Sequence, residues 1–161
     1  MALRYIRTYD DDLLRKRSKP VEAINLKILT LLDDMKDTLV SANGLGLAAP
    51  QVGVLRRIVI IKTEDAYYEM INPEILESKD SQVKIEACLS VPGKQGKVAR
   101  PAYVKVRAVN RDGDEYEVEG TEQLAVAFCH EIDHLNGILF IDKATEITDR
   151  DDDDEEEAEE V

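Results

Sequence analysis

The chain has 161 residues and a hydrophobic fraction of 43%, which suits one globular domain built on a single core. Its apolar runs are far too short for a membrane span, and Arg4, Arg7 and Asp10 to Asp12 interrupt any apolar secretory opening. A net charge of −13 argues against the basic surface that phosphate contact requires, so direct nucleic-acid binding is not expected.

The charge is unevenly spread. Residues 149–161 hold ten acids and one arginine, a net of −9, which leaves −4 for the body. Like charges repel and bury no apolar surface, so 149–161 reads as an acidic disordered tail and 1–148 as the folded domain. Solubility is the simple role for such a tail. The two cysteines, Cys88 and Cys129, make no disulfide framework, and a reducing cytoplasm is the implied compartment.

In chain order, Ala2 to Pro20 is mostly extended or irregular, with Arg15, Lys16, Arg17 and Lys19 forming a solvated cluster. An amphipathic helix is expected from Val21 to Ser41. Ile24, Ile28, Leu31, Leu32, Met35 and Leu39 repeat there at helical spacing, which is core packing. The stretch from Gly44 to Gly53 follows. Gly44, Gly46 and Ala49 mimic a dinucleotide fingerprint, but a helix precedes them and Pro50 blocks a helix after them. A close-packed loop or edge segment fits better, its small residues admitting another backbone. Gln51 on that support is an ordinary surface amide if taken alone.

Arg57 to Lys62 is a β-branched strand, and Tyr67 to Ile71 is another, stopped by Asn72-Pro73. Ile75 to Ser78 and Val83 to Ile85 are short strand candidates. Tyr103 to Val109 and Glu115 to Glu119 alternate and are joined as a hairpin through Asp112-Gly113. The fold class is therefore α+β, with mixed or antiparallel short strands around a central buried helix and an amphipathic helix near the N-terminus.

That central helix is Thr121 to Gly137. Thr121 suits an N-cap, Glu122 sits in the first turn, and Asn136-Gly137 supplies the stop. Leu124 to Cys129, Ile132 and Leu135 make it apolar nearly all round. Into it the sequence sets His130, Glu131, Asp133 and His134, the pattern H-E-x-x-H. His130 and His134 lie one turn apart on one face and can grip one metal ion, with Glu131 placed to handle the proton of a water there. A solvated face with incidental histidines fails, because charged groups rarely enter an apolar helix unpaired, and both histidines of the chain are here.

Cys88 follows a strand candidate and precedes Pro92-Gly93. A buried apolar thiol is the commonest role for such a residue. Beside two metal-binding imidazoles it becomes the obvious third ligand, held as a thiolate, with one position left open. A nucleophile activated by histidine is the weaker alternative, since both rings are already accounted for.

Three segments, Gly44-Leu-Gly-Leu-Ala-Ala-Pro-Gln51, Glu86-Ala-Cys-Leu-Ser90 and His130-Glu-Ile-Asp-His-Leu135, closely resemble the three motifs of peptide deformylases in order and spacing. The resemblance runs from about Arg4 to Lys143. It departs at Ala87, where the family usually has glycine, and at Cys129, where it usually has glutamine. It implies removal of the formyl group from the N-terminal formyl-methionine of new polypeptides. It also implies one Fe(II) per chain, replaceable by zinc, nickel or cobalt. Carried over, Cys88, His130 and His134 bind the metal and Glu131 is the general base and acid. The Gln51 amide and Leu89 backbone N–H then hold the oxyanion.

Gly46 and its neighbours suit pairing with an extended peptide, and Val126 and Ala127, on the metal-facing side, are candidates for a methionine pocket as well as plain core. The acidic tail argues against a stable ribosome contact, so ribosome association is at most transient. Three rivals remain. A zincin-type peptidase usually takes a further ligand downstream, and no histidine follows His134. A structural metal needs a fourth protein ligand. A re-tasked or inactive relative is raised by Ala87, against the retained Gln51, Cys88 and Glu131.

Overall fold

The computed structural model describes residues 2–150 and 159–160. Residues 151–158 and 161, most of the expected tail, lie outside the described residues. The described elements run α1 (Leu26–Ala42), β1 (Gly46–Ala48), β2 (Ile58–Lys62), β3 (Tyr67–Lys79), β4 (Gln82–Cys88), β5 (Val91–Arg100), β6 (Tyr103–Val109), β7 (Glu115–Thr121), α2 (Glu122–Leu135), β8 (Thr145–Asp149) and β9 (Glu159–Glu160). Short 3-10 turns fall at Asp12–Arg15, Ala49–Val52 and Phe140–Asp142. The class is α+β.

The strands form two sheets, in the orders β1-β2-β3-β6-β7 and β8-β5-β4-β9. All neighbours are antiparallel except β4 and β9, whose backbones run parallel at Glu86 and Ala87. β2 shows why its sequence is an unbroken apolar run. Val59 and Ile61 face a core with Val104, Val106, Phe128, Ile132 and Leu135, so α2 covers that side. Ile58 and Ile60 point the other way, toward Leu31, Leu32, Met35 and Leu39 of α1. With both faces buried, the alternation of a half-exposed strand disappears. A third cluster gathers Leu14, Cys88, Val91, Val98, Leu139 and Phe140 on the second sheet.

Several boundaries differ from the sequence reading. α1 begins at Leu26, not Val21, because Asn25 caps it by accepting the Ile28 N–H at 3.1 Å. Val21 is held outside the helix, exchanging two 2.9 Å bonds with the Asn72 side chain. Asn72-Pro73 does not end a strand. β3 continues to Lys79, and a register shift between Ile71 and Glu74 absorbs the proline, which has no N–H for the ladder. β5 is absent from the sequence reading, since Pro92, Gly93 and Gly96 disguise it. β4 and β5 form a tight hairpin with Cys88 opposite Val91. The expected start of the tail falls inside β8, where Asp149 pairs with Lys94 and the Arg150 N–H reaches the Gly93 carbonyl. Thr121 stands at the N-cap of α2 but makes no side-chain cap bond. Gly137 follows α2 at φ 76°, and a Cβ there would collide with the Arg15 carbonyl. Among the described residues no helix is long and apolar enough to cross a membrane.

Candidate active site and metal centre

Two chain segments converge on one buried point. β4 ends at Cys88, and α2, lying across the first sheet, presents His130 and His134 from successive turns. One ligand atom from each of these three residues lies within 4.8 Å of the others, and all three side chains are buried. Cys88 Sγ is 3.4 Å from His134 Nε2.

His130 is fixed from behind. Its Nδ1 lies 2.9 Å from Glu86 Oε1, and Glu86 in turn accepts Arg100 Nε at 2.9 Å and Nη2 at 3.0 Å. Arg100 also donates from Nη1 to Asp133 at 2.6 Å. Burial raises the Glu86 carboxyl, but the bonds from Arg100 and His130 outweigh it and hold the group at about 2. An ionised Glu86 accepts the hydrogen bond donated by Nδ1–H, which leaves the lone pair of His130 on Nε2. That Nε2 is buried and has no hydrogen-bond partner among the described residues. An unpartnered imidazole nitrogen beside a thiol and a second imidazole fits a thiolate-imidazole metal site of the zinc or Fe(II) type.

Glu131 is fully buried, and neither carboxylate oxygen has a hydrogen-bond partner among the described residues. Burial pushes its carboxyl well above the usual range, and the charge of Glu86 adds to this. Burial also pushes His134 well below its usual range, with His130 and Arg100 contributing. A cation at this point would reverse the pressure on Glu131 and favour a carboxylate beside a neutral ring.

β1 closes the other side. A Cβ on Gly46 would sit 2.8 Å from Glu131 Oε2, so the absent side chain leaves the room in which that carboxylate lies. Gln51 is fully buried, not the surface amide that its sequence context alone suggested. Its Oε1 accepts the Ala48 N–H at 2.9 Å, and its Nε2 donates to Ser90 Oγ at 3.0 Å and approaches Cys88 Sγ at 3.7 Å. The Ser90 N–H also points to Cys88 Sγ, at 3.4 Å. Leu89 occupies the hairpin turn after Cys88 and packs toward Gly44.

The two departures can be placed. Ala87 falls where the β4–β5 register shifts, between Glu86 and Cys88, but its φ is not left-handed, so the methyl is tolerated. Cys129 belongs to the core between α2 and the sheet, and burial pushes its thiol up to about 11. It is not part of the ligand group. Val126 is fully buried, and Ala127 lies within the α2–sheet core.

Polypeptide deformylase is the family whose model matches the chain, over residues 3–150. The chain belongs to the polypeptide deformylase family. It is 58% identical over 151 residues to a peptide deformylase of Acetivibrio thermocellus, covering 94% of this chain and 89% of the relative. A peptide deformylase of Thermoanaerobacter pseudethanolicus is 53% identical over 161 residues, covering 100% and 98%. The crystal structure of a peptide deformylase from Legionella pneumophila superposes with a TM-score of 0.87 at 42% identity, over 90% of this chain and 88% of that one.

As a deformylase the chain keeps all three motifs in one site. Sequence reasoning missed Glu86 and Arg100 as partners of that site. Glu86 is visible as an acid in a segment that otherwise buries, but Arg100 ends a strand that the glycines and proline hide.

Proposed function

We propose that the chain hydrolyses the N-formyl group of the N-terminal formyl-methionine on newly synthesised polypeptides and releases formate. A thiol and two imidazoles converge on one buried point, and Glu131, next in the chain to His130, is buried with no hydrogen-bond partner for its carboxyl among the described residues; that convergence carries the reading. Cys88, His130 and His134 of the buried helix and its neighbouring strand hold one metal per chain, which we assign as Fe(II), with zinc, nickel or cobalt as substitutes. Such an ion polarises a carbonyl and acidifies water near neutral pH.

Glu131 takes the proton of the attacking water and returns it to the leaving amine. The Gln51 amide and the Leu89 N–H receive the charge that develops on the formyl oxygen, each worth about 3 kcal/mol in barrier height. The outer edge of β1 at Gly46 pairs with the extended peptide, and Val126 with Ala127 lines the methionine pocket. Replacing Ala127 with Phe is then expected to raise KM for methionine substrates. The catalytic unit runs through β8, one residue past the expected boundary at 148, and the acidic tail follows it. The net charge of −13 leaves ribosome contact at most transient and disfavours nucleic acid, and we place the protein in the cytoplasm.

Anaerobic deformylation of a formyl-Met peptide by Fe(II)-loaded protein tests the reading, with Glu131→Ala as control. Formate release that disappears in the variant is expected. No release from protein carrying one metal per chain would mean that the site serves another reaction.

A further inference from the structure

Gln51 has two N–H groups, and the structure distinguishes them. The amide oxygen is committed to the Ala48 N–H, which fixes the sense of the amide. One N–H is then directed at Ser90 Oγ, 3.0 Å away. The other lies on the Cys88 side of the same nitrogen, where the contact to sulfur is long, at 3.7 Å. Ser90 is fully buried and comes from the β4–β5 turn, 39 residues from Gln51. The two residues are also clasped through their backbones. The Gln51 carbonyl accepts the Arg7 N–H at 2.7 Å, and the Ser90 carbonyl accepts the Tyr9 N–H at 2.9 Å. One N-terminal segment thereby holds both motifs in register behind the site.

We infer that the Ser90 hydroxyl is a positioning residue for Gln51, anchoring one amide N–H so that the other is presented to the developing oxyanion. This rests on the reading of Gln51 as an oxyanion donor. Without the hydroxyl, the amide loses its anchor on the nitrogen side. It then turns about its last torsion, which is broad and has no steep staggered wells. The donor would be present but no longer preorganised, and preorganisation is what makes such donors effective.

The test is a double-mutant cycle on metal-loaded enzyme. Ser90→Ala should lower kcat by about 10- to 100-fold, the usual cost of losing a group that orients a functional one. KM should stay within about threefold, because only the transition state is affected. In a Gln51→Ala background, Ser90→Ala should change kcat by no more than about twofold, since there is no amide left to position. Ser90→Thr, which keeps the hydroxyl, should recover most of the rate. Co(II) affinity and the thiolate-to-Co(II) absorption band should be unchanged in Ser90→Ala, because the Ser90 N–H to Cys88 is backbone and survives. If the alanine variant does not fold, Ser90→Gly carries the same expectations.

Wild-type rates in Ser90→Ala with a slow Gln51→Ala would overturn this inference alone. An equal loss from Ser90→Ala in the Gln51→Ala background, or a shifted Co(II) band, would place its action elsewhere and overturn it too. A fully active Gln51→Ala would instead overturn the oxyanion reading of Gln51, and this inference with it.

Discussion

Gln51 is a buried amide whose oxygen is occupied by Ala48, so only its nitrogen is left for the oxyanion role proposed for it. Gln51→Ala should slow turnover by about two to three orders of magnitude, the cost of one buried oxyanion donor. Metal affinity should hold, and a large loss of metal in equilibrium dialysis would contradict the assigned role. Glu86 acts from the other side, through His130. Glu86→Gln keeps the shape but lets the amide present either a donor or an acceptor to Nδ1, so the lone pair on Nε2 is no longer enforced. Metal affinity by chelator competition should fall about 10- to 100-fold, the range for such outer-sphere partners. Unchanged affinity would reduce Glu86 to a structural anion for Arg100. Gly46→Ala should cost activity without unfolding the sheet, because its Cβ would meet the Glu131 carboxylate at 2.8 Å and displace it.

At the scale of elements, the N-terminal segment is fastened to α1 by one acid. Asp34 accepts the Ala2 N–H at 2.8 Å and Arg4 Nε at 3.0 Å, while the Arg4 N–H reaches Thr38 Oγ1 at 2.9 Å. The Ala2 bond, against the opposing effect of burial and with help from Arg4, holds the Asp34 carboxyl below its ordinary 3.8. A depressed carboxylate stabilises the fold above its unfolded pKa and loses that contribution as pH falls through the folded one. Asp34→Asn should therefore destabilise by about 1–3 kcal/mol at pH 7. The gap to wild type in urea unfolding should narrow steadily below pH 3.8. A gap independent of pH would mean that packing, and not charge, fastens the segment.

Local signals account for what was legible at this scale. α2 could be read because imidazoles and carboxylates set into an apolar helix are stable only when paired or bound to a metal, and β2 because its β-branched run is continuous. The helical spacing starts α1 five residues early because Ile24 continues it, while Asn72, 51 positions from Val21, captures the chain ahead of the cap. β5 was illegible because its glycines and proline are punctuation in a sequence but hairpin residues in a sheet. Glu86, Arg100 and Ser90 have meaning only through partners 14 to 44 residues away, which no window of sequence brings together.

For the whole molecule, the important fact is where the ligands come from. Cys88 belongs to the second sheet, at the end of β4, while His130 and His134 sit on α2, which is packed on the first. A metal held by all three staples the two sheets across the interior, and the unfolded chain has no such preformed site. Binding free energy is then folding free energy. At free metal a hundredfold above Kd the gain is about 2.7 kcal/mol. For a chain of this size that is roughly 5–11 °C in Tm. Zn(II) is the convenient ion, since it undergoes no oxidation during a thermal scan. Wild type should melt higher with Zn(II) than after chelation, by an increment that grows with the logarithm of free metal. Cys88→Ala should lose most of that increment, because two imidazoles on one helix no longer join the sheets. Equal melting of wild type with and without Zn(II), at confirmed occupancy of one per chain, would mean that the metal also binds the unfolded chain and does not staple the fold.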